Sequence, residues 1–119
     1  MAIQIYHYKG CSTCRKALQW LDKEGLEYVA IPIVEAPPSA ETLRGLCHRS
    51  GLPLKKFFNT SGRSYRSGGW KDKLTALEES ELLAGLAADG MLIKRPLLDA
   101  GDTVLVGFSA PAWTEALRS

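Results

Sequence analysis

No stretch of this chain is apolar for the length a membrane-spanning helix needs, and none is repetitive or compositionally simple. Met1-Ala2-Ile3-Gln4-Ile5 carries no basic region ahead of an apolar one, so no secretion signal is expected. Cysteine is scarce and odd in number, three in 119 residues, which argues against a secreted disulfide scaffold. A reducing cytoplasm is the expected setting. The net charge of +2 is too small to argue for nucleic acid by itself. Neither a nucleic acid nor a membrane is therefore expected as a direct partner. There is no second C-x-x-C, so a zinc site would have only half of its usual set, and no metal site is assigned.

What remains is ordinary in bulk. With 45% apolar and 24% charged residues, the chain has enough apolar material for one core, and residues 1–119 read as a single domain. Its one conspicuous stretch runs from Tyr6 to Lys16. An apolar run, Ala2 to Tyr6, feeds a short loop with Gly10, and an amphipathic pattern begins at about Cys11. That is strand, turn, helix, with Cys11 and Cys14 at the helix start. A thiol there meets unpaired backbone N–H groups and the positive end of the helix dipole, and both favour thiolate. Lys9, Arg15, Lys16 and His7 add positive charge nearby, so Cys11 is the candidate nucleophile.

Cys14 supports three readings. It shares an i, i+3, i+4, i+7 stripe with Ala17, Leu18 and Leu21, which makes it a small core residue. Its spacing from Cys11 also suits a redox pair. A zinc half-site completed by His7, Cys47 or His48 is the third. Cys47 shares a face with Leu43 and Leu46 and reads as core.

Periodicity orders the rest. A strand at 2–6, a helix at 12–24 stopped by Gly25 and a strand from Tyr28 to Ile33 make a βαβ unit with parallel strands. Ser39 caps a helix over 40–50, opening a helical insertion at about 39–90. A short helix lies within 52–58, and Asn59 to Gly69 reads as a polar, basic loop. Trp70, Leu74 and Leu77 mark one further helix, and Leu82, Leu83 and Leu86 another. Pro96, Leu97 and Leu98, the turn Asp99–Asp102 and the run Thr103–Phe108 give an antiparallel hairpin. Ser109 caps a last helix through about Leu117. The class is α/β: βαβ, helical insertion, ββα, a mixed four-stranded sheet of thioredoxin-like form.

These residues resemble the arsenate reductase and Spx family within the thioredoxin-like superfamily. The likeness rests on Ile5-Tyr6-His7 leading to Cys11, on Cys14-Arg15-Lys16-Ala17, on Phe58-Asn59-Thr60-Ser61-Gly62, and most on Asp89 through Leu98 with Val106-Gly107-Phe108-Ser109. It implies that Cys11 is the nucleophile and Cys14 the resolving thiol, that Arg95 stands beside them, and that the bond before Pro96 is cis. His7, Ser12, Thr13, Asn59, Arg63 and Pro96 are the candidate substrate-binding residues. Established glutathione-dependent arsenate reductases hold their oxyanion with three arginines, and here only Arg95 is in register, with Asn59 and Gly107 at the other two positions. The resemblance thus implies a thiol-disulfide oxidoreductase acting on a disulfide or oxyanion substrate. No cofactor would be bound, and glutathione, thioredoxin or glutaredoxin would be the reductant. The alternative it implies is an Spx-like redox switch that binds an RNA polymerase subunit. A monomer is expected in either case.

Overall fold

The computed structural model describes residues 2–118. Four strands form one mixed sheet in the order β2-β1-β3-β4. Strand β1 (Gln4–His7) runs parallel to β2 (Val29–Pro32) and antiparallel to β3 (Leu97–Asp99), which pairs antiparallel with β4 (Val104–Val106). Helix α1 (Ser12–Lys23) makes the crossover from β1 to β2 and ends where Gly25 takes a left-handed φ of 70°. Pro32 is accommodated because β2 is an edge strand, where a missing N–H breaks no ladder.

Between β2 and β3 lie four helices: α2 (Ala40–Ser50), α3 (Arg63–Ser67), α4 (Trp70–Ala76) and α5 (Glu79–Ala88). Ser39 caps α2 by accepting the Thr42 N–H at 3.1 Å, as the sequence suggests. The short helix expected within 52–58 is a 3₁₀ turn at Leu54–Phe57. Helix α6 (Ala110–Arg118) closes the chain, and the Ser109 hydroxyl accepts the Ala112 N–H at 3.4 Å.

The strands alternate their side chains between two apolar clusters, one on each face of the sheet. Ile5 and Leu98 meet Ala17 and Leu21 of α1 and Trp113 of α6 on one face. Tyr6 and Leu97 meet Leu43, Leu46 and Cys47 of α2 and Leu82, Leu83 and Leu86 of α5 on the other. Trp113 is almost fully buried, stacks edge-on with Trp20 and Phe108, and donates its indole N–H to the Gly107 carbonyl at 3.1 Å. Removing such a ring costs on the order of 3–5 kcal/mol, so α6 is firmly tied to the turn that follows β4.

One expectation is corrected. The segment Asn59–Gly69 is not an irregular loop throughout, because Arg63–Ser67 forms α3. Tyr65 stacks edge-on against buried Phe58, with ring centres 6.5 Å apart, and the Arg66 guanidinium donates to the Ser61 carbonyl at 2.6 Å. One aromatic anchor and one side-chain clasp suffice to order the turn, and neither shows as hydrophobic periodicity.

Candidate active site

The sheet brings three chain segments to one end. Tyr6 pairs with Leu97, and Leu97 with Val106, so the end of β1, the start of β3 and the end of β4 lie side by side. The Cys11 turn, the Arg95–Pro96 bond and Gly107 all extend from that end.

Cys11 is the N-cap of α1. Its backbone is extended (φ −95°, ψ 115°), and its sulfur accepts the Cys14 N–H at 3.3 Å. The turn is closed by the Cys11 N–H donating to the Tyr8 carbonyl at 3.0 Å. Arg15 reaches back to donate to the Lys9 carbonyl at 3.2 Å, so it braces the loop. Cys11 is partly exposed, whereas Cys14 is fully buried one turn further along.

The two thiols are driven apart in acidity. Burial pushes Cys11 up. Hydrogen bonds from the Cys14 thiol and N–H, the charge of Arg95 and the Thr13 N–H outweigh burial, so Cys11 ends below an ordinary thiol. Burial pushes Cys14 up to about 12, reinforced by its hydrogen bond to Cys11 and the charge there, against downward pulls from the Tyr8 backbone and Arg95. The cation that acts on both sulfurs thus comes from the β3 side of the sheet, 84 positions along the chain from Cys11, and not from the adjacent Lys9, Arg15 or Lys16.

Arg95 precedes Pro96, and the bond between them is cis, as the resemblance implies. Its guanidinium lies over the Tyr8 ring at 5.1 Å and donates to the Met91 and Ile93 carbonyls at 3.3 and 3.4 Å. Its Nε is buried without a hydrogen-bond partner. Arg95 forms part of the wall of two cavities. One, of about 340 Å³, is shared with Thr13, Lys94, Gly107 and Ser109. The other, of about 390 Å³, is shared with Asn59, Arg63 and Met91.

The remaining candidates divide. Asn59 and Arg63 stand with Arg95, whereas Arg66 is held on its own segment by Ser61. Asn59 donates to the Met91 carbonyl at 3.5 Å. Ser12 is exposed at the first position of α1, and Pro96 is buried with its carbonyl accepting the Gly107 N–H at 2.8 Å. His7 ends β1 on the face that carries Ile5, and it lines neither cavity of Arg95. Cys47 is apart from this end, buried among α2 and α5 residues, with its thiol donating to the Leu52 carbonyl at 3.4 Å. Among the described residues no three His, Cys, Asp or Glu side chains come together as a metal site would require.

Two contributors escaped the sequence reading. Tyr8 supplies the ring beneath Arg95. Lys94 passes beside Gly107, where a β-carbon would meet the lysine Cε in ordinary contact at 3.6 Å. Their signal was position alone: Tyr8 precedes the cysteine turn, and Lys94 precedes Arg95.

The ArsC family model matches residues 6–116, nearly the whole chain. The chain belongs to the ArsC family. Among its relatives is the uncharacterized protein YusI of Bacillus subtilis (strain 168), 51% identical over 97% of this chain and 98% of the relative. A solved structure from Bacteroides fragilis, described as related to the ArsC family, superposes with a TM-score of 0.92 at 43% identity, covering 97% of each chain. The structure titled arsenate reductase from Vibrio cholerae superposes with a TM-score of 0.88 at 27% identity, covering 98% of each. Family membership accounts for the mixed sheet and for the meeting of the Cys11 turn with the Arg95–Pro96 segment.

Proposed function

We propose that this protein is a thiol-disulfide oxidoreductase in which Cys11 attacks and Cys14 resolves. The observation that carries the reading is the pairing of a partly exposed thiol at the start of α1, its pKa lowered by its surroundings, with a buried neighbour whose pKa is raised. The lowered thiol is the one open to solvent, as an attacking group must be.

The Cys11 thiolate attacks one sulfur of a substrate disulfide, and the other substrate sulfur leaves as a thiolate. In this mixed disulfide Cys11 no longer carries a negative charge and no longer accepts the Cys14 proton. Two of the causes that raise Cys14 are thereby removed. Cys14 then loses its proton to the departing thiolate or to solvent and attacks the Cys11 sulfur. The substrate's second sulfur leaves as a thiolate, and the Cys11–Cys14 disulfide remains. Two electrons have passed from the cysteine pair to the substrate. Glutathione, or a thioredoxin or glutaredoxin, returns them and restores the dithiol.

Arg95 and the N-terminal amides of α1 hold the thiolate and any anion beside it. Relatives titled arsenate reductases suggest that an oxyanion can enter. Asn59 and Gly107 leave it a single in-register arginine, so disulfide chemistry is the better supported activity. The reducing cytoplasm is the setting in which such a pair is kept ready.

The test is a mass-spectrometric redox titration of wild type, Cys11→Ser and Cys14→Ser, with turnover of a small disulfide measured alongside. A reversible intramolecular disulfide in wild type alone, with glutathione adducts trapped on Cys11 in Cys14→Ser, is the expected result. Adducts forming on Cys47, or no Cys11–Cys14 bond at any potential, would defeat the assignment. A reversible bond without turnover would favour the polymerase-binding switch.

A further inference from the structure

The fifteen cations and thirteen acids of this chain nearly cancel, yet they are not mixed over the surface. Three cavities adjoin at the Cys11 end. Besides the two that Arg95 lines, a third of about 450 Å³ contains Lys55, Lys56, Thr60 and Lys94 and shares Lys94 and Val106 with the first. Together they form a cleft that passes from the 3₁₀ turn after α2, along Lys94 and Arg95, to the start of α3. No acidic residue lines any of the three. The segments that supply the walls, 1–21, 42–71, 90–98 and 103–114, contain no Asp or Glu at all.

The acids lie elsewhere. Asp99 and Asp102 sit at the β3–β4 turn, and strand register puts Asp99 beside Gln4, at the sheet end away from Cys11. Asp22 lies in the last turn of α1 and Glu24 and Glu27 follow it, at the helix end away from the cysteine turn. Asp89, the nearest acid on the N-terminal side of Arg95, accepts the Met91 N–H at 3.0 Å. The ion pairs among the described residues are Arg49–Asp99 and Arg118–Glu24, and neither uses a cation of the cleft. Among the described residues, none of Lys55, Lys56, Arg63, Lys94 and Arg95 forms either of these ion pairs.

We infer that this cleft docks an acidic polypeptide, a partner protein whose own disulfide is flanked by carboxylates. The inference rests on the oxidoreductase reading for the disulfide, and on charge and shape for the rest. A cleft made of three joined cavities extends well past the reach of one small thiol from Cys11. Five cations along adjoining cavities raise the local concentration of an anionic partner and steer its approach. A nucleic acid fits less well, because the nearby aromatic faces that would stack on bases are already used. Tyr8 lies under Arg95, and Phe58 stacks with Tyr65 and Trp70.

The binding test uses the full chain as Cys11→Ser/Cys14→Ser, with fluorescein-labelled peptides of one length that are rich in Asp/Glu, Ser or Lys, and a single-stranded DNA of matched charge. Anisotropy at low ionic strength is expected to show binding of the acidic peptide and not of the other two peptides. Binding should weaken by roughly tenfold or more between about 20 and 200 mM salt, as exposed charges become screened. Adding Lys55→Glu/Lys56→Glu, with the fold verified by thermal melting, should weaken it by roughly tenfold. An acidic peptide that binds no better than its serine counterpart overturns the proposal. So does DNA that binds more tightly than the peptide, which would assign the face to nucleic acid.

A second arm measures kcat/KM of wild type on acid-flanked and lysine-flanked peptide disulfides and on an uncharged small disulfide. Preference for the acid-flanked peptide, shrinking with salt, supports docking. Equal turnover of all three overturns docking and leaves the oxidoreductase standing. Absence of all turnover with peptide binding intact removes the oxidoreductase and leaves the docking surface.

Discussion

Cys14 stays protonated in the folded chain up to about 12, while an unfolded thiol ionises near 8.5. Between those values the unfolded chain has lost this proton and the folded chain has not. Stability must then fall as pH rises, because the folded state binds the extra proton, by about 1.36 kcal/mol per pH unit. From pH 8.5 to 10.5 the loss attributable to Cys14 is about 2.3 kcal/mol, since the unfolded thiol is only half ionised at the start of that window. Below the unfolded value both states keep the proton and the dependence vanishes. Cys11 has the opposite sign. Its folded value is lowered, so the stability it adds is complete above the unfolded thiol value and is lost as pH falls through the folded one. It therefore adds only a small opposing slope at the low end of the window, while the unfolded thiol finishes ionising, and none above about pH 9.5. Cys47, Tyr6 and Tyr28 are all raised and act in any variant that retains them. Urea unfolding of the reduced protein at half-unit steps from pH 8.5 to 10.5 compares wild type with Cys14→Ala; because the variant also takes the Cys14 hydrogen bond from Cys11, the Cys14 share is read above about pH 9.5, where Cys11 is ionised folded and unfolded alike. The variant should lack that share of the slope, apart from a pH-independent offset of about 1 kcal/mol for the lost packing. Parallel curves would refute the claim that burial and Cys11 hold the Cys14 proton in place.

Three more expectations follow from the same geometry. Arg95→Ala should raise the pH at which Cys11 ionises and slow its alkylation at neutral pH while the thermal melt stays cooperative; an unchanged pH–rate profile would show that the guanidinium does not act on the sulfur. Cys47, buried with its thiol on the Leu52 carbonyl, should resist iodoacetamide until the chain unfolds, so rapid native labelling would contradict its placement. Arsenate turnover should be weak, because two missing charge-assisted contacts, each on the order of 1.5–3 kcal/mol, amount to a few orders of magnitude; robust turnover at micromolar arsenate would point to Arg63 as a substitute.

The sheet was legible because its signals are local. The run before Gly10, the stripe Cys14–Ala17–Leu21 and the turn residues at Asp99–Asp102 each encode an element within a dozen residues. Helix α3 was illegible, since its order comes from Tyr65 packing on Phe58 and from Arg66 clasping Ser61. At the site, local charge pointed to Lys9, Arg15 and Lys16. The folded chain spends Arg15 on bracing the loop and brings Arg95 across the sheet instead, a juxtaposition that only family likeness suggested. Lys94 beside Gly107 belongs to the same class of contact: two segments far apart in sequence, joined by strand register, with no pattern in either to announce it.

Gly107 has a consequence for descent. It takes a φ of 76°, follows the last strand, and has its carbonyl held by the Trp113 indole. The resemblance puts an arginine at this position in arsenate reductases. A branched or long side chain in that left-handed backbone is strained by roughly 1–2 kcal/mol, although a β-carbon there would meet the Lys94 side chain only at ordinary contact distance. Glycine to arginine is therefore not a neutral step for this lineage. Passage between a one-arginine and a three-arginine site without that strain requires the backbone of the turn after β4 to leave the left-handed region. The two kinds of site are separated by a ridge in sequence space, and selection for oxyanion binding alone does not carry a chain across it one substitution at a time.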